Sequence, residues 1–334
     1  MKILLIPDPT APDGQDAFCR EFAKIARDRG HETAMQPMPN GASADLLRQA
    51  LSQGFAAAAQ IVIINGVQPE AFAAAKGLGK KTVFRLVESC SGDDSAARER
   101  ARAMALSADR LLLPSRHLSS IAKSWGCNGN IRIVPYAYDR IVFGQIALLT
   151  PHAARRSAFP LIAGAPLSQE SSPGLETLFS ALARLRLDYH LSVIGEGPML
   201  EALRARAQAL QIADRISFPG ALAPIRVGEL LRSAKAFIDP CGLDGFPNRL
   251  LQAFAAGCPV VAVRSGALSE IVHHEQNGLC FPEGDPAALA EALVALYSLS
   301  GLSLQLIAGG LKTVERHDWG STADAALSAV EELA

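Results

Sequence analysis

Phe237-Ile238-Asp239-Pro240 opens the stretch that decides the fold, and Cys241-Gly242-Leu243-Asp244-Gly245-Phe246-Pro247-Asn248-Arg249 follows it directly. Apolar residues then recur at helical spacing, and a second apolar run covers Val260–Val263. The pattern predicts a buried strand ending at Ile238, a glycine-containing turn, an amphipathic helix over Asn248–Ala256 and another buried strand. Strand, helix and strand in this order form the repeating unit of a parallel sheet covered by helices.

The same alternation runs along most of the chain. Apolar runs typical of buried strands occur at Ile3–Ile6, Ile61–Ile64, Thr82–Val87, Arg110–Leu113 and Ile131–Val134. The period is lost between about 140 and 156, and it restarts at Phe159–Ala163. We therefore expect an α/β fold with two Rossmann-like, doubly wound parallel-sheet domains facing a cleft. The expected boundaries are 1–145 for the first domain, 146–157 for a linker and 158–315 for the second domain.

Composition and charge narrow the class of protein. The 334 residues carry a net charge of −1. A chain that is nearly neutral does not attract a polyanion, so no nucleic-acid partner is expected. The six cysteines form no Cys-x-x-Cys pair, which is typical of reduced thiols in a cytoplasmic protein. No apolar run approaches the roughly 20 residues of a membrane span. The basic run Arg98, Arg100 and Arg102 suits either a solvated helix face or peripheral contact with the inner face of a membrane.

A wider set of segments links the chain to a known family. Asp244 and Gln252, separated by seven residues, bracket the glycine-containing turn and the start of its helix. This segment resembles the donor-binding core of the family 4 retaining glycosyltransferases of GT-B fold, where an acid and a glutamate stand at these two places. Other resembling segments are Arg29-Gly30-His31-Glu32, Ser107-Ala108-Asp109-Arg110, Pro114-Ser115, Val134-Pro135 and Trp319. By this resemblance, 316–334 is expected to form a C-terminal helix that crosses back to the first domain.

The resemblance implies a reaction and its participants. It implies a retaining hexosyltransferase that moves a sugar from a UDP, GDP or ADP sugar to a glycan or a lipid-linked acceptor. It also implies that no cofactor or metal ion is needed, because cations and helix amides stabilise the departing diphosphate. Asp93-Asp94 is the nearest approach to an acidic metal motif, and it stands without supporting ligands in a polar loop. The sequence does not indicate the oligomeric state.

The resemblance also assigns the site residues. Asp244 corresponds to the catalytic acid that contacts the transferred sugar, although an aspartate here would also suit a helix cap. The turn Gly245, Phe246, Pro247 and Asn248 would hold the sugar and phosphates with backbone amides, and Gln252 would face the ribose. The remaining donor-site candidates are Gly14, the Gly195-Glu196-Gly197 turn, and Phe218, Gly220 and Ala221 near the base. The alternative for Gly195-Glu196-Gly197 is an ordinary tight turn. The alternative for Phe218, Gly220 and Ala221 is a plain strand end.

The chain departs from the family pattern where the diphosphate should be clamped. Ala165 and Pro173 stand where an arginine and a lysine are expected, and Gln252 replaces a glutamate. Relatives commonly have a histidine at the end of the third strand, but here that position reads Arg85-Leu86-Val87-Glu88-Ser89. Arg249, Arg264 or Arg226 could replace the missing cations, and each also suits the surface. These departures leave open a degenerate, non-catalytic binding or scaffolding subunit, or a transferase with a changed donor.

Overall fold

The computed structural model describes residues 1–8, 17–38, 42–87, 95–144, 159–165, 167–169, 171–242 and 248–333. Within these residues the chain forms two six-stranded sheets in which all neighbouring strands are parallel. The strands are Lys2–Ile6 (β1), Glu32–Met35 (β2), Ile61–Asn65 (β3), Lys81–Arg85 (β4), Arg110–Leu113 (β5), Ile131–Ile133 (β6), Phe159–Gly164 (β7), Tyr189–Ile194 (β8), Ile216–Gly220 (β9), Ala236–Asp239 (β10), Val260–Val263 (β11) and Leu279–Phe281 (β12).

Helices follow most of the strands, as expected when parallel strands are joined by crossover connections. They are Ala17–Asp28 (α1), Ala44–Leu51 (α2), Gly54–Ala58 (α3), Pro69–Gly77 (α4), Ser95–Ser107 (α5), Arg116–Ser124 (α6), Arg140–Phe143 (α7), Ser172–Leu182 (α8), Leu200–Ala209 (α9), Pro224–Ser233 (α10), Asn248–Ala255 (α11), Pro286–Ser298 (α12), Ser300–Val314 (α13) and Trp319–Glu331 (α14). Short 3₁₀ turns lie at Ala213–Arg215 and Gly266–Glu270.

The first compact unit combines 1–136 with the segment that begins at Trp319. Its sheet has the order β2-β1-β3-β4-β5-β6. Helix α14 closes one side of this core, where Leu327 and Val330 pack with Phe18 and Phe22 of α1. A hydrogen bond between His31 Nε2 and Glu331 Oε1, at 2.9 Å, also holds this helix in place. The C-terminal segment is therefore an integral part of the first unit's core.

The second compact unit covers 137–318. Its sheet has the order β12-β11-β10-β7-β8-β9. The chain builds outward from β7 through β8 to β9, and then returns to place β10 on the other side of β7. The strand order thus reverses between β7 and β10, and ligands of open α/β sheets bind outside the carboxyl ends of the strands at such a reversal.

The α/β architecture with two doubly wound parallel sheets is confirmed. Two edge strands, β2 and β12, were not predicted, because β2 has no fully buried residue and β12 has only three residues. Helix α7 lies inside the stretch that lacked a clear period, and Asp139 begins it by accepting hydrogen bonds from two backbone N–H groups. The predicted linker 146–157 lies outside the described residues.

Among the described residues, no single helix has the length and apolar composition to cross a membrane. The helical segments Pro286–Ser298 and Gly301–Glu331 meet those two criteria only when taken together, with a bend of 103° between them.

Candidate functional site

The first part of the candidate site lies at the carboxyl ends of β7 and β10, in the second unit. Strand β7 ends at Gly164, and the next residue, Ala165, is fully buried. Strand β10 ends at Asp239. Because Ile238 pairs with Ala163, the residues that follow in each strand, Asp239 and Gly164, lie side by side at the edge of the sheet. The reversal of strand order therefore brings a buried carboxylate next to the end of β7.

Arg249 crosses the end of β7. It is the second residue of α11, and a Cβ atom on Gly164 would lie only 2.9 Å from its Cδ atom. Only glycine at position 164 leaves room for the arginine side chain in this path. Among the described residues, none forms a hydrogen bond or an ion pair with the half-buried Arg249. Its guanidinium is thus a cation with free donors, next to the place where the family pattern expects an arginine.

Asp239 is the acidic group that interacts electrostatically with Arg249. Its side chain is 5% exposed, and Oδ1 accepts a hydrogen bond from the N–H of Cys241 at 3.3 Å. Burial raises the pKa of Asp239 above its ordinary value, while the Arg249 cation and the Cys241 N–H act in the opposite direction. Desolvation is the largest of these effects, so the ionised carboxylate destabilises the folded chain.

This leads to a prediction on stability and pH. A raised pKa in the folded state means that ionisation of Asp239 removes stability as the pH rises from about 4 through the folded-state pKa. We expect Asp239→Asn to raise the melting temperature at pH 7, and this gain to shrink as the pH falls towards 4. Thermal unfolding followed by circular dichroism between pH 4 and 8 measures the difference. The exposed Asp188→Asn is the matched control. A variant less stable than the parent at pH 7 would contradict the argument.

Helix α11 presents three polar side chains near its N-terminus. Asn248, Arg249 and Gln252 are half-buried, whereas Leu250, Leu251, Ala253, Phe254 and Ala255 are buried in the core. Residues 248 and 252 are one helical turn apart and share a face. The Oδ1 atom of Asn248 is shielded from solvent and has no hydrogen-bond donor among the described residues. The start of α11 is therefore polar, and the Asn248 oxygen there has no partner within the described part of the chain.

The turn after β8 forms a second part of the site. Gly195, Glu196 and Gly197 lie between β8 and α9, as predicted. Gly197 has φ +154°, and a Cβ atom there would lie 2.2 Å from the carbonyl oxygen of Leu167. The N–H of Leu167 in turn donates to the carbonyl of Glu196 at 3.0 Å. The glycine turn thus packs directly against the chain that leaves β7.

The loop after β9 joins this turn. The Glu196 carboxylate accepts the N–H of Ala221 at 3.1 Å, and the N–H of Gly195 donates to the carbonyl of Gly220 at 3.2 Å. The pairing of β8 with β9 is irregular between Ser192 and Ile194, so Phe218 falls in a bulge. Its ring packs edge-on against Phe179 with centroids 6.3 Å apart. The structure therefore brings Gly195, Glu196, Gly220 and Ala221 together, with the side chain of Phe218 engaged in packing.

Helix α8 approaches the same end of the sheet. A Cβ atom on Gly174 would lie 2.3 Å from the carbonyl oxygen of Pro240, so the first turn of α8 rests on the loop after β10. The thiol of Cys241 also donates to the carbonyl of Ser171 at 3.5 Å. Pro173 belongs to this first turn and Ala165 is buried. Neither position places a cation in the site.

Of the three arginines proposed as replacements, Arg249 alone lies across the end of β7. Arg226 is exposed on α10 and forms an ion pair with Glu229 one turn along. Arg264 is exposed after β11. Gly14, Asp244, Gly245, Phe246 and Pro247 lie outside the described residues. Across the described ranges, no group of three or more His, Cys, Asp or Glu side chains is placed to hold a metal ion.

Two charged residues at the ends of central strands were not among the predicted site residues. Asp239 ends a strand whose preceding residues are all apolar, and a carboxylate at the end of a central strand indicates a position near a binding edge. Arg85 also ends a central strand, after the apolar pair Val83 and Phe84. The contact between Gly164 and Arg249 could not be found from the sequence, because it joins residues 85 positions apart through the pairing of β7 with β10.

Comparison with known proteins gives a family match for part of the chain. Residues 162–298 match the family described as glycosyl transferases group 1. The phosphatidyl-myo-inositol mannosyltransferase of Mycobacterium leprae is 32% identical over 169 residues, covering 49% of this chain and 44% of that protein. The D-inositol 3-phosphate glycosyltransferase of Acidothermus cellulolyticus is 33% identical over 149 residues, covering 43% of this chain and 33% of that protein. The matches therefore span less than half the length of these relatives.

Solved structures match the chain over its whole length. The crystal structure of Anabaena HepE in complex with UDP and glucose superposes with a TM-score of 0.81 at 16% identity, covering 99% of this chain and 100% of that one. Sucrose-phosphate synthase from Thermosynechococcus elongatus gives a TM-score of 0.79 at 18% identity, covering 100% of this chain and 99% of that one. The chain therefore has the GT-B fold along its length, and residues 162–298 of its second unit match the group 1 glycosyltransferase family.

Proposed function

We propose that the chain is a retaining glycosyltransferase that moves a sugar from a nucleoside-diphosphate sugar to a glycan or a lipid-linked acceptor. The observation that carries the proposal is the position of Arg249, whose side chain crosses Gly164 at the point where the strand order of the second sheet reverses. This is the end of the sheet at which the fold binds nucleotides. Arg249 supplies there the positive charge that Ala165 and Pro173 do not.

The surrounding groups suit a diphosphate. The first turns of α8 and α11 both lie at the carboxyl ends of β7 and β10, and the free N–H groups of a helix N-terminus favour anions. An arginine and two helix N-termini can stabilise a leaving diphosphate without a metal ion, because the charge that develops falls on fixed donors. Asp244 would contact the transferred sugar and Gln252 the ribose, as the family resemblance implies.

The comparisons support the choice of substrates. HepE is described in complex with UDP and glucose, so a UDP sugar is one of the three donor types that we propose. Two relatives are named for phosphatidyl-myo-inositol and for D-inositol 3-phosphate, so their acceptors are an inositol lipid and an inositol phosphate. We propose an acceptor of this broad kind, glycan or lipid-linked, reached in the cytoplasm or at the inner face of a membrane.

Calorimetric titration of the purified chain tests the proposal. UDP, GDP and ADP are added first without metal and then with magnesium. Micromolar binding of one nucleotide, independent of magnesium, is the expected result. The matching nucleotide sugar is then offered with candidate acceptors, and proton NMR of the product shows whether the anomeric configuration is retained. Failure of all three nucleotides to bind would contradict the proposal and favour a non-catalytic subunit.

A second prediction concerns the ribose. Gln252 keeps one acceptor oxygen, while a donor NH2 group replaces the second oxygen of the family glutamate. We expect Gln252→Ala to weaken binding of the nucleotide about 5- to 30-fold, the effect of one lost hydrogen bond of about 1–2 kcal/mol. Gln208→Ala, an exposed glutamine on α9, is the matched control and should bind as the parent does. Equal affinities of the two variants would remove Gln252 from the site.

A further inference from the structure

Arg85 is a cation buried in the core of the first unit. It ends β4 and is 3% exposed. The next strand offers a comparison, because Arg110 of β5 is 7% exposed and pairs with Glu332 at 3.1 Å. Among the described residues, no carboxylate forms an ion pair with Arg85. Each of these two buried arginines has one shielded nitrogen without a hydrogen-bond partner among the described residues, but only Arg110 has a carboxylate partner there.

The contacts of Arg85 fix the orientation of its guanidinium group, but they leave one of its N–H donor groups without an acceptor. Nη1 donates to Oδ1 of Asn65 at 2.8 Å. The guanidinium carbon lies 4.2 Å from the ring centroid of Phe18 and 5.0 Å from that of Tyr136. The remaining nitrogen, Nη2, is shielded from solvent and has no acceptor among the described residues. Aromatic faces attract the charge of a guanidinium, but they do not accept hydrogen bonds from its in-plane N–H groups.

An unpaired donor on a buried charge is costly, because the group loses water and gains nothing in return. Shielded polar atoms are almost always paired in folded proteins, so an exception points to a role. Arg85 stands at the carboxyl end of β4, next to Asn65 at the end of β3. The strand order of the first sheet reverses between β1 and β3, so this edge is also the place where such a sheet binds ligands.

We propose that Arg85 receives an anionic group, a carboxylate or a phosphate, of the acceptor substrate. The inference rests on the proposed function, since it places the charged end of the acceptor on the first unit. Asn65, Phe18 and Tyr136 hold the guanidinium in one orientation, so its fork is pre-formed for two anionic oxygens. Because Nη2 is shielded, binding requires a small displacement of neighbouring groups. Tyr136 is one of those groups, and its ring lies 5.6 Å from that of Trp319.

Tryptophan fluorescence can follow this event. The chain has two tryptophans, so a Trp125→Phe background leaves Trp319 as the reporter. Inorganic phosphate, glycerol 3-phosphate and acetate are titrated separately at constant ionic strength, balanced with chloride. We expect a saturable change with at least one of the three anions and none with chloride. Comparison of the three shows whether a phosphate or a carboxylate is preferred, and whether free phosphate suffices.

Three variants decide the assignment. Arg85→Gln should weaken anion binding at least about ten-fold, since a charge-assisted hydrogen bond is lost, while Arg110→Gln should retain it. Asn65→Asp places a carboxylate beside Arg85, so it should raise the melting temperature and remove the anion response. Asn65→Asp keeps the test valid if Arg85→Gln does not fold. Calorimetric binding of the nucleotide should be unchanged in Asn65→Asp, which separates this inference from the donor site. A parent without a saturable response, or an unchanged response in Asn65→Asp, would overturn it.

Discussion

Arg249→Met is expected to lower the rate of sugar transfer about 10- to 150-fold. A charge-assisted hydrogen bond is worth about 1.5–3 kcal/mol, and this stabilisation is lost from the leaving diphosphate in the transition state. The methionine keeps the length of the apolar stem across Gly164, so packing at the end of β7 is preserved. Initial rates with the nucleotide sugar identified by calorimetry measure the effect, and Arg249→Lys should lose less because it keeps the charge.

Controls separate this role from a structural one. Arg206→Met, an exposed arginine on α9, should transfer sugar at the parental rate. If Arg249 served only to neutralise the buried Asp239, removal of both charges would restore activity. We expect the double variant Arg249→Met with Asp239→Asn to remain as slow as Arg249→Met alone. Recovery of the parental rate in the double variant would assign Arg249 to stability and leave the diphosphate without a cation.

Gly309→Ala is expected to destabilise the second unit by about 3 kcal/mol, at the upper end of the usual cost of overpacking. A Cβ atom at this position of α13 would lie 2.0 Å from the carbonyl oxygen of Gln276. The obstacle is backbone, so no side-chain rotation relieves it. For a unit of this size the melting temperature should fall by about 6–12 °C, measured by differential scanning calorimetry.

The same helix supplies the control for this substitution. Gly301 is also in α13, and a Cβ atom there would meet nothing within 4 Å. Since alanine favours the helix over glycine by up to about 1 kcal/mol, Gly301→Ala should be neutral or slightly stabilising. Equal melting temperatures for the two variants would show that α13 can move away from Gln276 at little cost.

The sequence was sufficient for the architecture because buried parallel strands are continuous apolar runs. β1, β3 and β7 are such runs, and they stand out from the amphipathic helices between them. The edge strand β2 mixes half-buried and exposed residues, so its pattern resembles a loop. Helix α13 contains Gly301, Gly309 and Gly310, which weaken its helical pattern although Gly309 is needed for close packing.

The candidate site could be predicted only where its residues are close in the sequence. Gly195, Glu196 and Gly197 form one turn between a strand and a helix, and a local pattern is enough to place them. Arg249 could be named as a cation, but its approach to Gly164 depends on which strands pair, which the local pattern does not contain. Arg85 is similar, since its lack of a carboxylate partner follows from the packing of Phe18, Asn65 and Tyr136 around it.

The first unit is discontinuous in the chain, since α14 returns to complete a core begun by β1 and α1. During synthesis on a ribosome, every strand of the first sheet leaves the exit tunnel long before Leu327 and Val330 do. The described residues of the second unit all lie between 137 and 318, so this unit is finished earlier. We therefore expect the nascent first unit to wait, incompletely packed, for the last residues to be translated. A chain stopped just before Trp319 should expose the apolar surface around Phe22 and attract chaperones.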